Sequence, residues 1–181
     1  MIKTTTQLVW PVALRLLHWT LALSMILSFA THEAAGKWHE WTGYVALAAA
    51  LLRVALGLVG AGYWRFSQFA RGVSTTLAYA RAVVQKREPR YLGHNPLGGW
   101  MVLVLLADVV ATGVTGWLFT LDRFWGMAWL EELHGALGHA LIPLLILHVA
   151  GAVFTSWRHR ENLVGAMLHG RKPVATPGDV V

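Results

Sequence analysis

Cysteine is absent from this 181-residue chain, and charged residues are scarce. Without cysteine the chain can form neither a disulfide framework nor a thiolate-held zinc or iron–sulfur site. Charged residues make up 13% of the sequence, which is about half of the ~25% that soluble domains usually carry. Because 56% of the residues are hydrophobic, these proportions place the chain among membrane proteins.

The placement of the basic residues argues against a nucleic-acid partner. The formal net charge is +6, but Lys and Arg lie between apolar segments. A nucleic-acid-binding protein would instead carry them as one basic stripe or patch on a soluble fold. Membrane lipid is therefore the expected surroundings of most of the chain.

Four apolar segments are long enough to cross a membrane, since a transmembrane helix needs about 20 predominantly apolar residues. They predict an all-α integral membrane protein, a four-transmembrane-helix bundle that forms a single domain over residues 1–172. We expect the spans at about 9–30, 38–60, 97–120 and 129–155.

The loops predict the orientation of these spans, because Lys and Arg accumulate in cytoplasmic loops. The two short loops contain only Lys37 and Arg123. We therefore expect a multi-pass protein of the bacterial inner (cytoplasmic) membrane with both termini cytoplasmic. Ten Lys and Arg residues lie between the second and third spans or after the fourth: Arg65, Arg71, Arg81, Lys86, Arg87, Arg90, Arg158, Arg160, Arg171 and Lys172.

Two segments outside the spans have patterns of their own. VSTTLAYARAVVQKREP has helix-like spacing and basic flanks, which predicts an amphipathic surface helix over about residues 73–87. Residues 173–181 carry Pro and Gly at the chain end, and we expect a disordered tail there.

The run ELHGALGHALIPLLILHV contains three histidines in an apolar span. Because an ionisable residue inside the membrane is costly, a functional role is the first hypothesis for each of them. His134 and His148 are fourteen residues apart. This spacing puts them within about 40° of each other around the helix and roughly 21 Å apart along it. One zinc ion cannot bind both, because zinc ligands lie ~2 Å from the metal. His139 is turned about 140° from His134, and we expect it to be hydrogen-bonded in the core or to support a ligand.

Depth in the membrane pairs the remaining histidines. His39 and His134 lie near the outer ends of their spans, whereas His18 and His148 lie deeper, toward the inner side. Neutral imidazole binds iron well, and helix bundles build cofactor sites from facing side chains. The pattern predicts two b haems with axial pairs His39/His134 and His18/His148. Filling both axial positions favours electron transfer over oxygen binding.

Other polar residues in or near the spans are further candidates for a functional or a structural role. Arg15 and Arg53 could pair with propionates of the inner haem, or extend to the membrane interface. Asp108 could support a haem ligand, belong to a proton path, or be hydrogen-bonded within the bundle. His94, Asn95 and His159 lie on the predicted cytoplasmic side and are candidates for hydrogen bonding to a quinone.

Four motifs resemble one family over nearly the whole chain: RLLHW, HEWTGYVALAAALLRVALG, YLGHNPLGGWM and LHGALGHALIPLLILHV. They are similar to the bacterial cytochrome b561 family, in the branch resembling the b-type cytochrome subunit of nickel–iron hydrogenases. The resemblance implies a four-helix membrane bundle with two b haems, and electron exchange between the quinone pool and a partner on the outer face. By motif match, it implies His18, His39, His134 and His148 as axial ligands.

Three functions remain open. The first is a di-haem carrier of electrons between ubiquinone or menaquinone and a periplasmic redox protein, either a c-type cytochrome or a dehydrogenase- or hydrogenase-like subunit. The second is a superoxide:ubiquinone oxidoreductase, which makes the chain an enzyme. It is disfavoured because acidic residues outnumber Lys37 and Arg123 in the outer loops. The third is a histidine-relay transporter without haem. The acidic outer residues are Glu33, Glu40, Asp122, Glu131 and Glu132.

Overall fold

A computed structural model describes residues 5–32 and 36–181 of the chain. The described chain is mostly helical, with one pair of short strands. Its elements are β1 (Thr6–Leu8), α1 (Val12–Thr31), α2 (Lys37–Val59), a 3₁₀ turn (Gly62–Trp64), α3 (Phe66–Phe69), α4 (Val73–Val84), α5 (Pro96–Phe119), α6 (Ala128–His159), α7 (Leu163–His169) and β2 (Arg171–Pro173).

Four helices, α1, α2, α5 and α6, are long and apolar enough to cross a membrane. They confirm the four predicted spans, with ends that differ by a few residues. At α5 the shift has a local cause: Pro96 starts the helix, and the Asn95 side chain accepts a hydrogen bond of 2.8 Å from the Gly98 backbone N–H. Proline suits a first helical position, and asparagine is a favoured N-cap.

The described residues pack as two compact units. We call the first the pair unit; it comprises residues 16–55 and 104–146. We call the second the tail unit; it comprises 56–103, 147–181 and the described part of 1–15. Each of the four long helices contributes residues to both.

Within the pair unit, side chains join segments of all four long helices. Ser28 of α1 contacts His39 of α2, and Tyr44 of α2 lies within hydrogen-bonding distance of Thr120, the residue that follows α5 (3.3 Å between the hydroxyl oxygens). Thr112 of α5 in turn contacts α6. These polar contacts position the helix segments that carry the candidate site.

Within the tail unit, the two ends of the described chain meet. Strands β1 and β2 pair antiparallel, with Gln7 opposite Lys172. Val9, Trp10, Leu14 and Ala166 form a buried apolar cluster beside this strand pair. The start of α1 is therefore packed against α7, which follows α6.

The C-terminal residues differ from the disordered tail expected over 173–181. Val180 pairs with Tyr91, and the Asp179 carboxylate lies 2.7 Å from the Arg90 guanidinium. Arg90 also contacts Glu161 at 3.0 Å, and Glu161 contacts Lys172 at 3.0 Å. The Pro/Gly composition missed these long-range ion pairs, which order the tail.

Burial and pairing shift the titration of several groups in this network. Burial lowers the pKa of Lys172, although the neighbouring Glu161 opposes that shift. The hydrogen bond from Arg158 lowers the pKa of Glu88. Burial acts to raise the pKa of Asp179, but hydrogen bonds from Thr176 and Arg90 outweigh it and leave that pKa lowered. The two carboxylates are therefore held in their charged form.

Helix α4 falls within the surface helix predicted over about 73–87. It ends at Val84, before Lys86, whose φ of 59° lies in the left-handed region. Tyr79 is buried against Tyr91, with ring centroids 5.5 Å apart, and burial raises its pKa. Val84, with other apolar residues of α4, is exposed. Attachment of this face to lipid stays a prediction.

Candidate functional site

Two histidines from different helices face each other in the pair unit. His39 lies in the first turn of α2, and His134 lies in the second turn of α6. Their ring centroids are 6.2 Å apart, and the ring planes are perpendicular, at 88°. The structure thus brings together one of the two pairs that depth predicted.

The His134 ring is held by α5. Its Nδ1 lies 3.1 Å from the Thr112 carbonyl oxygen and 3.0 Å from the Thr115 hydroxyl. A carbonyl oxygen only accepts hydrogen bonds, so Nδ1 carries the proton. The other ring nitrogen, Nε2, then presents a lone pair.

The His39 ring is held by α1 in the same way. Its Nδ1 lies 3.0 Å from the Ser28 carbonyl oxygen and 3.3 Å from the Ser28 hydroxyl. Nδ1 again donates, and Nε2 is left as the ligating atom. A backbone carbonyl that accepts from the second ring nitrogen is the usual support of a metal-binding histidine, because it fixes the tautomer and the ring orientation.

The spacing of the two rings fits a single metal ion between them. With about 2 Å from metal to imidazole nitrogen and about 1.1 Å from nitrogen to ring centre, two opposed imidazoles have centroids about 6.2 Å apart. The observed 6.2 Å agrees. Gly43 and Gly138, each four residues after one histidine, have no atom within 4 Å of a built Cβ. The pair therefore fits an iron whose remaining ligands come from a flat porphyrin.

A metal site made by protein groups alone finds no support. Over residues 5–32 and 36–181, no group of three or more His, Asp or Glu side chains is placed to hold an ion. Two histidines with open space beside them match a cofactor that brings its own equatorial ligands.

His18 and His148 lie in different units. His18 of α1 belongs to the pair unit, is half-buried, and makes an edge contact with Trp19 at 5.4 Å between ring centroids. His148 of α6 belongs to the tail unit and is also half-buried. Their pairing stays a proposal.

His139 is separate from the facing pair. Its Nδ1 donates to the Gly135 carbonyl at 2.7 Å, one turn back on α6. The side chain is exposed, whereas Leu141, about 200° around the helix, is only 4% exposed. The expected hydrogen bond is present, but it is made within α6, and the expectation of a core position was wrong.

The two arginines predicted near a haem have different surroundings. Arg15 donates from Nη1 to the Leu168 carbonyl oxygen near the end of α7, where a cation complements the helix dipole. Arg53 is buried in the pair unit, with 6% of the residue exposed. Arg15 therefore has a structural partner in the tail unit. Arg53, which is buried, stays a candidate for pairing with a haem propionate.

Asp108 lies on α5 in the pair unit, one helical turn before Thr112. Among the described residues, neither carboxylate oxygen of Asp108 has a hydrogen-bond partner, although both are buried. The Thr112 hydroxyl is buried without a partner in the same described part of the chain. The expected hydrogen bond of Asp108 within the bundle is therefore not made by the described side chains or backbone.

The three quinone candidates belong to the tail unit. His94 lies between the rings of Trp10 and Phe69, at centroid distances of 4.9 and 4.6 Å. Asn95 caps α5 through its side-chain oxygen. His159 is the last residue of α6. Only His94 among the three has an aromatic enclosure.

Sequence reasoning missed the residues that hold the facing histidines. Ser28, Thr112 and Thr115 contribute carbonyls or hydroxyls to them. Gly116 leaves room for the His134 ring, since a Cβ there would lie 3.1 Å from its Cε1. The available signal was the spacing of Thr112, Thr115 and Gly116 on one side of a very apolar helix.

Long apolar helices and two histidines whose supported rings fit one iron define the class as a b-type membrane cytochrome. The chain belongs to the prokaryotic cytochrome b561 family, whose sequence profile matches residues 9–170. It is similar to a probable Ni/Fe-hydrogenase B-type cytochrome subunit of Azotobacter vinelandii, 25% identical over 93% of this chain and 89% of the relative. A protein of the same description from Azotobacter chroococcum mcd 1 is 27% identical over the same shares.

These comparisons confirm the family predicted from the motifs. A b-type cytochrome carries haem b, so the chain is a multi-pass, haem-b electron-transfer protein.

Proposed function

We propose that the chain is a di-haem cytochrome that carries electrons across the bacterial inner membrane, between the quinone pool and a periplasmic redox partner. The observation that carries this proposal is the facing pair His39 and His134, with rings 6.2 Å apart and both Nδ1 atoms bonded to backbone carbonyls. Both axial positions of an iron would then be filled, which suits outer-sphere electron transfer.

We assign the second haem to His18 and His148. The support is their position in the long apolar helices α1 and α6. The spacing of fourteen residues from His134 to His148 keeps both on nearly one helix face and about 21 Å apart. One helix would then supply a ligand to each haem. Arg53, and more weakly Arg15, would hold propionates, because a guanidinium pairs well with a partly buried carboxylate.

We place the partner on the side of the short loops, the periplasmic side by the distribution of Lys and Arg. Two relatives are described as subunits of Ni/Fe-hydrogenase, so a hydrogenase-like subunit is the first candidate and a c-type cytochrome the second. The described acidic residues there are Glu40, Asp122, Glu131 and Glu132, and they favour a basic docking surface. Glu33 lies outside the described residues.

We place ubiquinone or menaquinone near His94, on the opposite side of the membrane. The support is His94 itself, whose imidazole is held between the rings of Trp10 and Phe69, because ligand sites combine an apolar and aromatic lining with a few polar groups. Asn95 and His159 are the further candidates for hydrogen bonding to a quinone carbonyl. Because Asn95 already caps α5 through its side-chain oxygen, it could offer only its amide N–H groups.

Absorption spectra of purified single variants test the haem assignment. We expect a red protein with a reducible Soret band and an α band of b type. His39→Ala and His134→Ala should remove the same haem, and His18→Ala and His148→Ala the other. A colourless protein from haem-replete cells would overturn the proposal. Loss of the same haem in the two single variants His18→Ala and His134→Ala would also overturn it.

One observation favours a second function, superoxide:ubiquinone oxidoreduction. Lys37, Trp38 and Trp41 line a shallow pocket of about 390 Å³ at the start of α2, beside His39. A cation there would attract a small anion. Superoxide-driven ubiquinone reduction by the isolated protein, lost in Lys37→Gln, would support this function. The haem-free transporter is disfavoured by membership of a cytochrome family.

A further inference from the structure

We propose that Thr115 is a positioning residue that fixes the tautomer and the ring plane of His134, with Gly116 providing the space for the ring. This inference rests on the proposed role of His134 as a haem ligand. It explains why the apolar helix α5 carries the hydroxyl group of Thr115 next to His134.

The hydrogen bonds around Thr115 have one consistent arrangement. Its Oγ1 lies 3.0 Å from the Ala111 carbonyl, 2.9 Å from the Thr112 carbonyl and 3.0 Å from His134 Nδ1. Both carbonyls can only accept, so the hydroxyl proton points back to α5. The lone pairs of Oγ1 are then free to accept from Nδ1–H.

The Thr112 carbonyl strengthens this assignment. It lies 3.1 Å from His134 Nδ1, so the ring proton is shared between a hydroxyl and a carbonyl acceptor. An unprotonated Nδ1 would face the carbonyl lone pairs and be repelled. Thr115 itself is only 7% exposed, so water cannot replace its hydroxyl easily.

Gly116 leaves space for the ring at the next position of α5. A Cβ built there would lie 3.1 Å from Cε1 and 3.6 Å from Nδ1 of His134. The ring therefore passes over a glycine on one side and bonds to a threonine on the other. Together these contacts leave His134 little freedom to rotate.

The His39 ring provides an internal comparison. Its Nδ1 has a carbonyl acceptor at 3.0 Å, but the Ser28 hydroxyl is more distant, at 3.3 Å. His134 thus has two close acceptors where His39 has one. The two rings, whose planes are perpendicular at 88°, are each held by a different helix, His39 by α1 and His134 by α5.

The chemical consequence is a more basic ligand. An acceptor on Nδ1–H increases the electron density at Nε2, and such supports of metal-binding histidines affect metal affinity by about 10–100-fold. Removing the Thr115 hydroxyl should therefore raise the reduction potential of the haem bound by His134 and weaken its retention.

The test compares purified full-length variants by redox titration and by electron paramagnetic resonance of the oxidised protein. Thr115→Val replaces the hydroxyl by a methyl group of similar size, and Thr115→Ser restores it. Thr42→Val is the matched control, because the Thr42 hydroxyl donates to the carbonyls of Trp38 and His39 but touches no imidazole.

We expect Thr115→Val to raise the potential of one haem, to change the g-anisotropy that reports the angle between the imidazoles, and to lower retention of that haem about tenfold. Thr115→Ser and Thr42→Val should match the unaltered protein. Unchanged spectra and potentials in Thr115→Val would overturn the proposal. Equal loss of both haems in Thr115→Val and Thr115→Ser would also overturn it, because it would show a packing role alone.

His134→Ala separates this inference from the functional assignment. If His134→Ala retains both haems, the ligand assignment fails. If it removes one haem and that same haem is unaffected in Thr115→Val, only the positioning role of Thr115 fails.

Discussion

The histidines of the pair unit and the buried charged groups of the tail unit find their partners in different ways. In the pair unit, the histidine rings bond to carbonyls and hydroxyls of neighbouring helices. In the tail unit, Glu161 and its neighbours form ion pairs between segments far apart in sequence. The single N–H of a neutral imidazole needs an uncharged acceptor, whereas a buried charge needs an opposite charge.

This difference follows from what each unit does in the proposed function. Imidazoles must keep one nitrogen available for a cofactor, so their other nitrogen takes a fixed, uncharged partner. The tail unit has chain ends to order, and ion pairs such as Arg90–Asp179 join the C-terminal residues to the loop before α5. Haem binding in the pair unit should therefore be sensitive to loss of the histidine ligands. The order of the tail unit should be sensitive to loss of its charged side chains.

The largest expected effect is the loss of a whole haem from the pair unit. His134→Ala should halve the haem content measured by pyridine haemochrome, because one axial ligand is removed. His139→Ala is the matched control on the same helix: its ring bonds only to Gly135 of α6, so both haems should remain. Haem loss in His139→Ala would refute the separation of the two histidines.

The next effect should appear in the tail unit alone. Glu161→Ala leaves Lys172 buried without its carboxylate partner, and breaking a buried ion pair costs about 3–5 kcal/mol. We expect hydrogen exchange over residues 171–181 to accelerate, with the haem spectra of the pair unit unchanged. Glu131→Ala, at an exposed site in the first turn of α6, is the control.

A double replacement sharpens this test. Glu161→Leu with Lys172→Leu removes both charges, and apolar residues often substitute for a buried pair at little cost. Exchange in the tail should then be slower than in Glu161→Ala. If the double variant exchanges as fast as the single one, the unpaired charge is not the cause of the loosening.

A smaller effect is expected from a single methyl group beside His134. Gly116→Ala places a Cβ 3.1 Å from the ring, and overpacking of this kind costs about 1–3 kcal/mol. Thermal release of haem should begin at a lower temperature. Gly135→Ala adds the same methyl group where no atom lies within 4 Å of it, and it should leave haem release unchanged.

The sequence predicted the spans and the facing pair because both depend on local patterns. Hydropathy located the four helices, and depth along those helices matched His39 with His134. The ends differ by a few residues, and at α5 the start is set by Pro96 and its cap Asn95. Thr115 was overlooked because its spacing from Thr112 and Gly116 gains a meaning only once the neighbouring helix is placed.

The tail was mispredicted for a different reason. Composition near the C-terminus reports the local tendency to order, and Pro and Gly lower it. The order observed there depends on Arg90, about ninety residues away from its partner Asp179. The composition of a short sequence segment contains no information about a partner far away in the chain, so this ion pair could not be predicted from it.

The smallest expected effect is a response of the tail unit to acid. The pKa values of Glu88 and Asp179 are lowered in the folded chain, so each contributes stability that is present above its unfolded pKa and is lost as pH falls through the folded pKa. Ordinary values are 4.5 for Glu88 and 3.8 for Asp179. The protection of residues 171–181 against hydrogen exchange, taken relative to the intrinsic exchange rate at each pH, should therefore fall only once the pH drops below these ordinary values. Glu88→Gln should exchange faster at neutral pH and respond less to acid. A loss of that protection between pH 7 and 5 would contradict this expectation and would point to titration of histidines instead.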